Sequence, residues 1–590
     1  MITNSVRQTV TKVVTEVKIP TPFALSYGTA GFRCAAQQLK GVAVRVGILA
    51  ALRSLLKDGQ FVGVMITASH NPADDNGMKI VDPDGGMLDP AWEPVVVDFM
   101  HCSTSLVAEW LQEKVTNLEA HVHPRVVLGY DTRASSPSLA EEVLVGIEAM
   151  SGLCVRLGLV TTPQLHFAVK HLNDSSYVTS LGDAPEPNLD QIYIHHFASR
   201  FAHGLRFLLS KKGEQAECDL INLNVDCAHG VGSLALAKLN DQLISSACPL
   251  RLHLFNTDVD KRDLLNNDCG ADFVKLFSKA PKIHSALSAI PCSPSDRWAT
   301  VDGDADRLLY FYHAPASTDF GDDVQTDAVA AGDSSRIILL DGDRIACLFA
   351  SFLTSVLLAS DGGRSLTVGV IQTAYANAGS TIYLRDHLHV TVSCVPTGVK
   401  HLHHAAQAFD FGIYFEANGH GTILYSATAL NYVRSLDSDH PLSVFVDLTN
   451  TTVGDALTDI LLVEYALAWH GWSLADWSKL YRELASRQIK VALKSPTSIK
   501  TTDAERRVCS PASLQSAIDD LIEQVEQATM SPGTVRAFVR PSGTENIARV
   551  YCEAIHSVWA DWLAQKVAIA THQLAGGTGQ PPPDPGPVPS

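Results

Sequence analysis

Short apolar runs of strand length alternate along the chain with longer stretches whose apolar positions recur every three or four residues. VGVMIT (62–67), RVVLGYD (125–131), LINLNVD (220–226), TVGVIQT (367–373) and FGIYFEA (411–417) predict strands. SLAEEVLVGIEAM (138–150), SLALAKLN (233–240) and HLHHAAQAF (401–409) predict the helices between them. Near-continuous apolar strands followed by amphipathic helices predict an α/β chain with buried, mixed or parallel sheets. The pattern changes at the C-terminal end. Helices there precede RAFVR (536–540) and ARVYCEA (548–554), and a last helix closes a smaller unit. The longest apolar run, Ile345 to Ala359, is shorter than the ~20 residues that cross a bilayer and predicts a buried helix.

Polar or Gly/Pro-rich stretches suggest boundaries near SLGDAPEPNLD (180–190), in segment 315–335, and around SLDSDHPLS (435–443). The Pro/Gly-rich end, GGTGQPPPDPGPVPS, predicts a disordered tail over 580–590. At 590 residues the chain has room for about four domains. Its 46% hydrophobic content excludes a disordered protein. Forty-five basic against sixty-three acidic side chains leave a net charge of −18, which argues against a nucleic-acid or membrane-surface binder. An anionic ligand then has to be caught by local basic pockets. Twelve scattered cysteines without a C-x-x-C are read as reduced thiols, and no signal-peptide core opens the chain; both point to the cytoplasm.

Polar segments that follow strand-like runs carry the candidate chemistry, since open α/β sheets bind ligands at strand ends. In TASHNP (67–72), Ser69 is either a nucleophile or phosphate carrier, or a turn serine serving its own backbone. His70 adjoins it and Lys79 lies ten residues on. No G-x-S-x-G surrounds it, so a serine-hydrolase site is disfavoured. In VDGDADRLL, Asp302, Asp304 and Asp306 alternate, so an extended segment would turn all three carboxylates to one side. Three hard oxygen donors suit Mg²⁺ or Ca²⁺ rather than zinc. An EF-hand fails because Arg307 and His313 stand where Gly and Glu are required.

RPSGTENIAR (540–549) gathers Arg540, Ser542, Gly543, Thr544 and Arg549 around Pro541, and the five donors match a phosphate dianion. In FEANGHGT (415–422), Glu416 and Asn418 offer polar groups and the glycines close backbone approach to a polyol; a plain structural turn explains the segment equally well. GTAGFR and TGVKHLHH add Arg33, Lys400 and His401 as weaker phosphate or proton-transfer candidates, each also open to a core or surface role. A competing signal is Gly230 to Ala235, which fits G-x-G-x-x-A with Asp258 after the next strand, a dinucleotide-site pattern of low specificity. No Gly-Lys occurs, so a Walker A loop is absent.

Taken together, TASHNP, DGDADR, a sugar loop with a central Glu, and R-x-S-G-T make the chain resemble the α-D-phosphohexomutase superfamily. It is most similar to a eukaryotic branch acting on N-acetylglucosamine phosphates. TASHNP precedes GYDTRASS (129–136) here, the metal loop reads DGDADR, and YGTAGFR, TTPQLHF, CGADFVK and KTTDAERRV look like the same branch. The resemblance implies four domains around a central cleft, three similar mixed-sheet α/β domains plus a smaller C-terminal α+β domain. The spans would be 1–180 with the phosphoserine loop, 181–335 with the metal loop, 336–450 with the sugar loop and 451–579 with the phosphate loop.

The resemblance further implies reversible interconversion of N-acetylglucosamine 6-phosphate and 1-phosphate, on the route to UDP-N-acetylglucosamine. The reaction would run through phosphorylated Ser69 and a 1,6-bisphosphate. One Mg²⁺ would be held by Ser69, Asp302, Asp304 and Asp306. Catalysis would draw on Arg33, His70, Lys79 and His401. Substrate would meet Arg307, Thr397, Glu416, Ala417, Asn418 and the residues of 540–549 named above. The partners expected are the sugar phosphate and the bisphosphate, with no nucleic acid, no membrane and a monomeric chain. The alternatives are a mutase acting mainly on glucose or mannose phosphates, a non-catalytic sugar-phosphate sensor, and an NAD-dependent oxidoreductase.

Overall fold

The computed structural model describes residues 3–20, 25–28, 31–115, 122–174, 188–211, 220–283, 296–315, 335–360, 362–542 and 546–589. The chain packs into two compact units: 1–312 with 418–422 and 433–469, and 313–417 with 423–432 and 470–590.

In the first unit, β1 (Phe32–Ala35), β2 (Phe61–Ile66), β3 (Asp75–Val81), β4 (Arg125–Tyr130) and β5 (Leu153–Leu159) form a sheet in the order β1-β3-β2-β4-β5. β2, β4 and β5 run parallel, while β3 lies antiparallel between β1 and β2. Every residue of β2 is buried. Its continuous apolar sequence therefore reflects cover on both faces rather than alternation. In a second sheet, β6 (Ile221–Asp226) is flanked by parallel β7 (Leu250–Phe255) and β8 (Arg297–Val301). β9 (Leu308–Pro315) returns antiparallel along β8. Both sheets thus direct the C-terminal ends of parallel strands toward loops rich in polar residues.

Two helices of the first unit approach unusually closely. The helix Val42–Leu55 carries Gly47 and the helix Ser136–Ala149 carries Gly146. A β-carbon on Gly47 would lie 2.0 Å from the Val143 carbonyl oxygen, and one on Gly146 would lie 2.0 Å from that of Val44. The contact is reciprocal, so each glycine makes room for the other helix's backbone. The stretch 180–215, for which the sequence offers no motif, contains a 23-residue helix, Leu189–Lys211. It is anchored by Tyr193 donating to Asp455 at 2.6 Å and by Arg200 pairing with Asp447.

The second unit opens with β10 (Ser335–Leu340) and the helix Gly342–Ala359, capped by Asp341 accepting from the backbone of Asp343 and Arg344. By length and composition this helix could cross a membrane, but 78% of it is buried inside the fold, as expected of a core helix. β11 (Val368–Thr373), β12 (Thr391–Val395), β13 (Phe411–Phe415) and β14 (Gly421–Tyr425) order as β12-β11-β13-β14, with β12 and β13 parallel to β11. The last part contains β15 (Ala485–Ala492), a small hairpin of β16 (Lys500–Thr502) and β17 (Arg507–Ser510), β18 (Arg536–Pro541) and β19 (Ile547–Ala554). β15-β19-β18 form an antiparallel sheet packed on the helices Ala512–Thr529 and Ser557–Leu574.

Two sequence expectations need correction. The helix Ala456–His470 was expected with the C-terminal domain, yet it packs in the first unit. Its buried Glu464 accepts from Tyr310 at 3.2 Å and pairs with Arg297, and the Ala456 N–H donates to the Ala305 carbonyl. The tail expected to be disordered makes defined contacts. Asp584 pairs with Lys566 at 2.6 Å, the Gly586 carbonyl accepts from the Trp562 indole, and Val588 packs on the core beneath. Composition alone missed these partners, which lie on a helix some twenty residues upstream.

The helix crossing yields a stability prediction. Gly146→Ala should lower the thermal unfolding midpoint, at a cost of ~1–3 kcal/mol, because a methyl group has to displace backbone rather than a flexible side chain. An unchanged midpoint in a calorimetric scan would show that the two helices are not in this contact.

Candidate functional site

Ser69 lies three residues past the end of β2, at φ 51°, with only 1% of its surface exposed. A left-handed, buried serine needs its neighbours to hold it. Its N–H donates to Thr67 Oγ1 at 2.9 Å. Its carbonyl accepts from Arg133 Nη2 and from Asn266 Nδ2, each at 2.9 Å. Arg133 also donates to the carbonyls of Asn71 (2.8 Å), Asp75 (2.9 Å) and Pro72. Its Nε pairs with Asp131 at 2.9 Å, and Asp131 in turn accepts from Ser136 and Thr67. Both members of this ion pair are fully buried, so removing either would leave an uncompensated charge at a cost of about 3–5 kcal/mol. The turn GYDTRASS thus works as a frame: its Arg133 grips four carbonyls of the serine loop.

The aspartates follow β8. Ser69 Oγ donates to Asp302 Oδ2 at 2.5 Å, and His70 Nδ1 lies 3.3 Å from the same hydroxyl oxygen. The three carboxylates converge, one oxygen of each lying within 4.8 Å of the others, and all are buried. They do so in a turn with Ala305 at φ 57°, not along an extended strand, so a backbone reversal rather than alternation gathers them. Asp302 Oδ1 accepts the N–H groups of Asp306 and Arg307 at 3.1 and 3.2 Å. Asp304 Oδ2 accepts from Thr162 at 2.6 Å and Thr67 at 3.2 Å. Gly303 allows the turn to reach the serine loop, since a β-carbon there would sit 2.7 Å from the Ser69 carbonyl oxygen.

The electrostatics of this turn are one-sided. Burial, then the charges of Asp306 and Asp304, push the Asp302 carboxyl well above the usual range. Burial would also raise Asp306, but His420, Lys79 and Arg307 outweigh it and hold that carboxyl well below. Lys79 Nζ stands 3.7 Å from Asp304 and 3.5 Å from Asp306. Asp304 Oδ1 and Asp306 Oδ1 are buried without a hydrogen-bond partner. Buried carboxylate oxygens in that condition are costly unless a cation takes them, and three hard oxygen donors fit Mg²⁺.

Around this centre the first unit gathers Arg33, His70, Lys79, Arg307 and Asn418. Arg307 pairs with Asp272 at 2.6 Å, and Asp272 lies 3.7 Å from His70 Nε2. Burial, then Arg307 and Arg33, pull His70 down to about 2, so its imidazole is neutral despite that carboxylate. Arg33 donates to Asn71 Oδ1 at 3.2 Å, while its buried Nε has no hydrogen-bond partner. Asn418 Oδ1 accepts the His420 N–H at 3.0 Å, and His420 Nδ1 lies 2.8 Å from the Asp306 carbonyl. The sugar-loop asparagine therefore sits beside the metal loop. Thr67, Asp131, Arg133, Thr162, Asn266, Asp272 and His420 were not singled out from sequence, although all but Asn266 fall within the stretches TASHNP, GYDTRASS, TTPQLHF, CGADFVK and FEANGHGT.

The dinucleotide pattern is absorbed by packing. The Val231 N–H donates to the Gly303 carbonyl at 3.1 Å, and a β-carbon on Gly230 would lie 2.4 Å from that oxygen. The glycine turn seats the metal loop where a pyrophosphate would have to lie, and Asp258 pairs with Lys261 at 2.9 Å.

The second unit holds the anion candidates. In the register of β18 and β19, Arg540 stands opposite Arg549, and Lys490 of β15 stands opposite Arg549 on its other side. Directly opposed residues share a face, so three cations form one row, and like charges in that arrangement repel unless an anion joins them. Ser542 closes the strand end, its N–H donating to the Ile547 carbonyl at 2.9 Å. Gly543 and Thr544 lie outside the described residues. Arg540 also stacks 5.6 Å from the Tyr375 ring. Thr397 gives both its N–H and its hydroxyl to Glu505 Oε2, at 2.9 and 2.6 Å. Glu416 and Ala417 follow β13, half-buried, and His401 is exposed on the helix Val399–Ala406.

Residues 341–472 match the family described as phosphoacetylglucosamine mutase AMG1, domain III, and residues 48–107 and 99–189 match phosphoglucomutase/phosphomannomutase, alpha/beta/alpha domain I. The chain is 41% identical to the phosphoacetylglucosamine mutase of Sus scrofa over 95% of its own length and 96% of that protein. Among solved structures it is similar to Aspergillus fumigatus N-acetylphosphoglucosamine mutase in complex with GlcNAc-6P and magnesium, with a TM-score of 0.83, 37% identity, and 97% and 100% of the two chains covered. A serine-to-alanine form of that enzyme in complex with glucose 1,6-bisphosphate aligns at 36% identity and a TM-score of 0.82, covering 97% of this chain and 100% of that one. With relatives this similar along nearly its whole length, the chain belongs to the phosphoacetylglucosamine mutase family of the α-D-phosphohexomutase superfamily.

Proposed function

We propose that the chain interconverts N-acetylglucosamine 6-phosphate and N-acetylglucosamine 1-phosphate by way of a phosphoserine at position 69 and a sugar 1,6-bisphosphate. It would thereby supply the 1-phosphate from which UDP-N-acetylglucosamine is made. The observation that carries this is the 2.5 Å contact of the buried Ser69 hydroxyl with Asp302 inside a trio of carboxylates. A structural turn serine has no need of three buried acids, whereas a phosphoryl carrier needs a place for the charge that develops on its oxygens.

Asp302, Asp304 and Asp306 would hold Mg²⁺ together with an oxygen of the Ser69 phosphoryl group. The ion, when bound, neutralises the phosphoryl oxygens as the P–O bond loosens. In the first half-reaction a sugar hydroxyl attacks the phosphorus, the P–Oγ bond of Ser69 breaks, and the bisphosphate forms. In the second half the bisphosphate turns and returns its other phosphoryl group to Ser69. In each half the attacking hydroxyl loses a proton and the departing oxygen gains one: the sugar hydroxyl and Ser69 Oγ in the first, Ser69 Oγ and the other sugar oxygen in the second. His70 Nδ1, 3.3 Å from Ser69 Oγ, stands beside the oxygen that gains a proton in the first half and loses one in the second. Lys79 and Arg307 counter the charge of the aspartates, and Arg33 offers its buried Nε to a phosphate oxygen. Arg540, Ser542 and Arg549 would seat the phosphate that is not reacting, because that seat has to accept a dianion without regard to the carbon bearing it. Glu416 and Asn418 would bind sugar hydroxyls. Room for the N-acetyl group is assigned to the neighbourhood of Asn418, since the donors of Thr397 are already committed to Glu505.

Three outcomes follow for an assay of N-acetylglucosamine 6-phosphate conversion. Ser69→Ala should lower turnover by roughly 10⁴-fold or more, because no other group can take the phosphoryl; retention of wild-type turnover would end the relay account. Asp304→Asn, or chelation of divalent cations, should cost at least about 10²-fold, and Mg²⁺ should restore only the chelated sample. His70→Gln should lower kcat by about 10²-fold with a smaller change in KM, which the ratio of the two constants reads directly. A faster rate with glucose 6-phosphate than with the N-acetylated substrate would favour the glucose-phosphate alternative.

A further inference from the structure

The second unit contains an acidic residue in a place where an anion seat should not want one. Glu505 faces Arg540, with Nη1 of the arginine 2.9 and 3.0 Å from its two carboxylate oxygens. The same carboxylate accepts the N–H and hydroxyl of Thr397. The turn that presents it is held in an unfavourable backbone: Asp503, Ala504 and Glu505 are consecutive left-handed residues at φ 52°, 53° and 70°. Such a turn persists only where its surroundings insist on it, and here the insistence comes from the two partners of Glu505.

We propose that Glu505 is a positioning residue for Arg540 in the anion seat; this rests on the mutase function above. An arginine has two useful edges for a dianion, and Glu505 occupies Nη1 alone. The Nε donor on the opposite edge is buried and has no hydrogen-bond partner. Held from one side, the guanidinium presents its Nε and Nη2 fork, the edge that pairs bidentately with phosphate. Thr397 fixes Glu505 in turn, so the carboxylate ties the loop before the helix Val399–Ala406 to the strand end that carries Arg540. Glu505 also offsets part of the row of Lys490, Arg549 and Arg540, which would otherwise push the two arginines apart. The competing idea is a carboxylate placeholder that a phosphate must evict. The two differ in sign. Removing a positioning residue weakens phosphate binding, while removing a placeholder tightens it.

The test titrates glucose 1,6-bisphosphate into the Ser69→Ala chain, in which no phosphoryl group can pass to residue 69. Adding Glu505→Ala or Glu505→Gln should weaken binding about tenfold, the loss expected when a charge-assisted contact goes. Equal or tighter binding in both would overturn the proposal. Glu505→Gln keeps the shape and the contact with Thr397, so it decides the matter should Glu505→Ala fold poorly. In the Ser69-containing enzyme the same substitutions should raise KM about tenfold while kcat stays within about threefold; a fall in kcat at unchanged KM would also count against it. Loss of the mutase function itself would appear in the parent chain's turnover, not in the difference between binding constants.

Discussion

Three carboxylates buried around one serine hydroxyl form the contact on which the rest of the molecule depends. Burial raises the cost of each negative charge, and proximity raises it again. The protein bears this because each carboxylate has one oxygen committed to protein donors or neighbouring cations: backbone amides at Asp302, Thr162 at Asp304, Lys79 at Asp306. Of the other oxygens, Asp302 Oδ2 takes the Ser69 hydroxyl, while Asp304 Oδ1 and Asp306 Oδ1 have no hydrogen-bond partner, and a divalent cation would complete them. The fold of the first unit can be understood as the device that makes this costly cluster possible.

That device is a set of backbone clamps. Arg133 does not reach for substrate; it grips carbonyls of the serine loop from within, paired to Asp131. Asn266 grips the same loop from the second sheet, and Gly303 lets the metal loop press against it. Strand ends from two sheets are thereby locked to each other through main-chain groups, which hold position better than long side chains. A transferring phosphoryl group rewards such rigidity, since little covalent chemistry is asked of the protein beyond placement and charge.

Much of this was legible in the sequence, for identifiable reasons. β2 is a fully apolar run and β4 is apolar and buried between its two ends, and tertiary packing had no cause to override them. Ser69, the aspartate triplet and the Arg540 segment stood out because each packs several polar residues into a few positions. Arg133, Asn266 and Glu505 did not, because a single residue that works through partners far along the chain, Ser69 for the first two and Thr397 and Arg540 for the third, leaves no local pattern. The row Lys490, Arg549, Arg540 was hidden for the same reason: register, not spacing, brings it together. The alternation of Asp302, Asp304 and Asp306 misled in geometry, since left-handed Ala305 and not a strand gathers them. The proline-rich tail misled in another way. Its composition favours disorder, but Asp584, Gly586 and Val588 each find a specific partner on the closing helix or its core.

The most direct measurement follows the phosphoryl group itself. The purified chain, charged with glucose 1,6-bisphosphate and digested, should carry one phosphoryl group on the peptide containing Ser69. That group should leave the peptide when N-acetylglucosamine 6-phosphate is added in the presence of Mg²⁺. Sustained interconversion of the two sugar phosphates with no phosphate ever found on Ser69 would contradict the account.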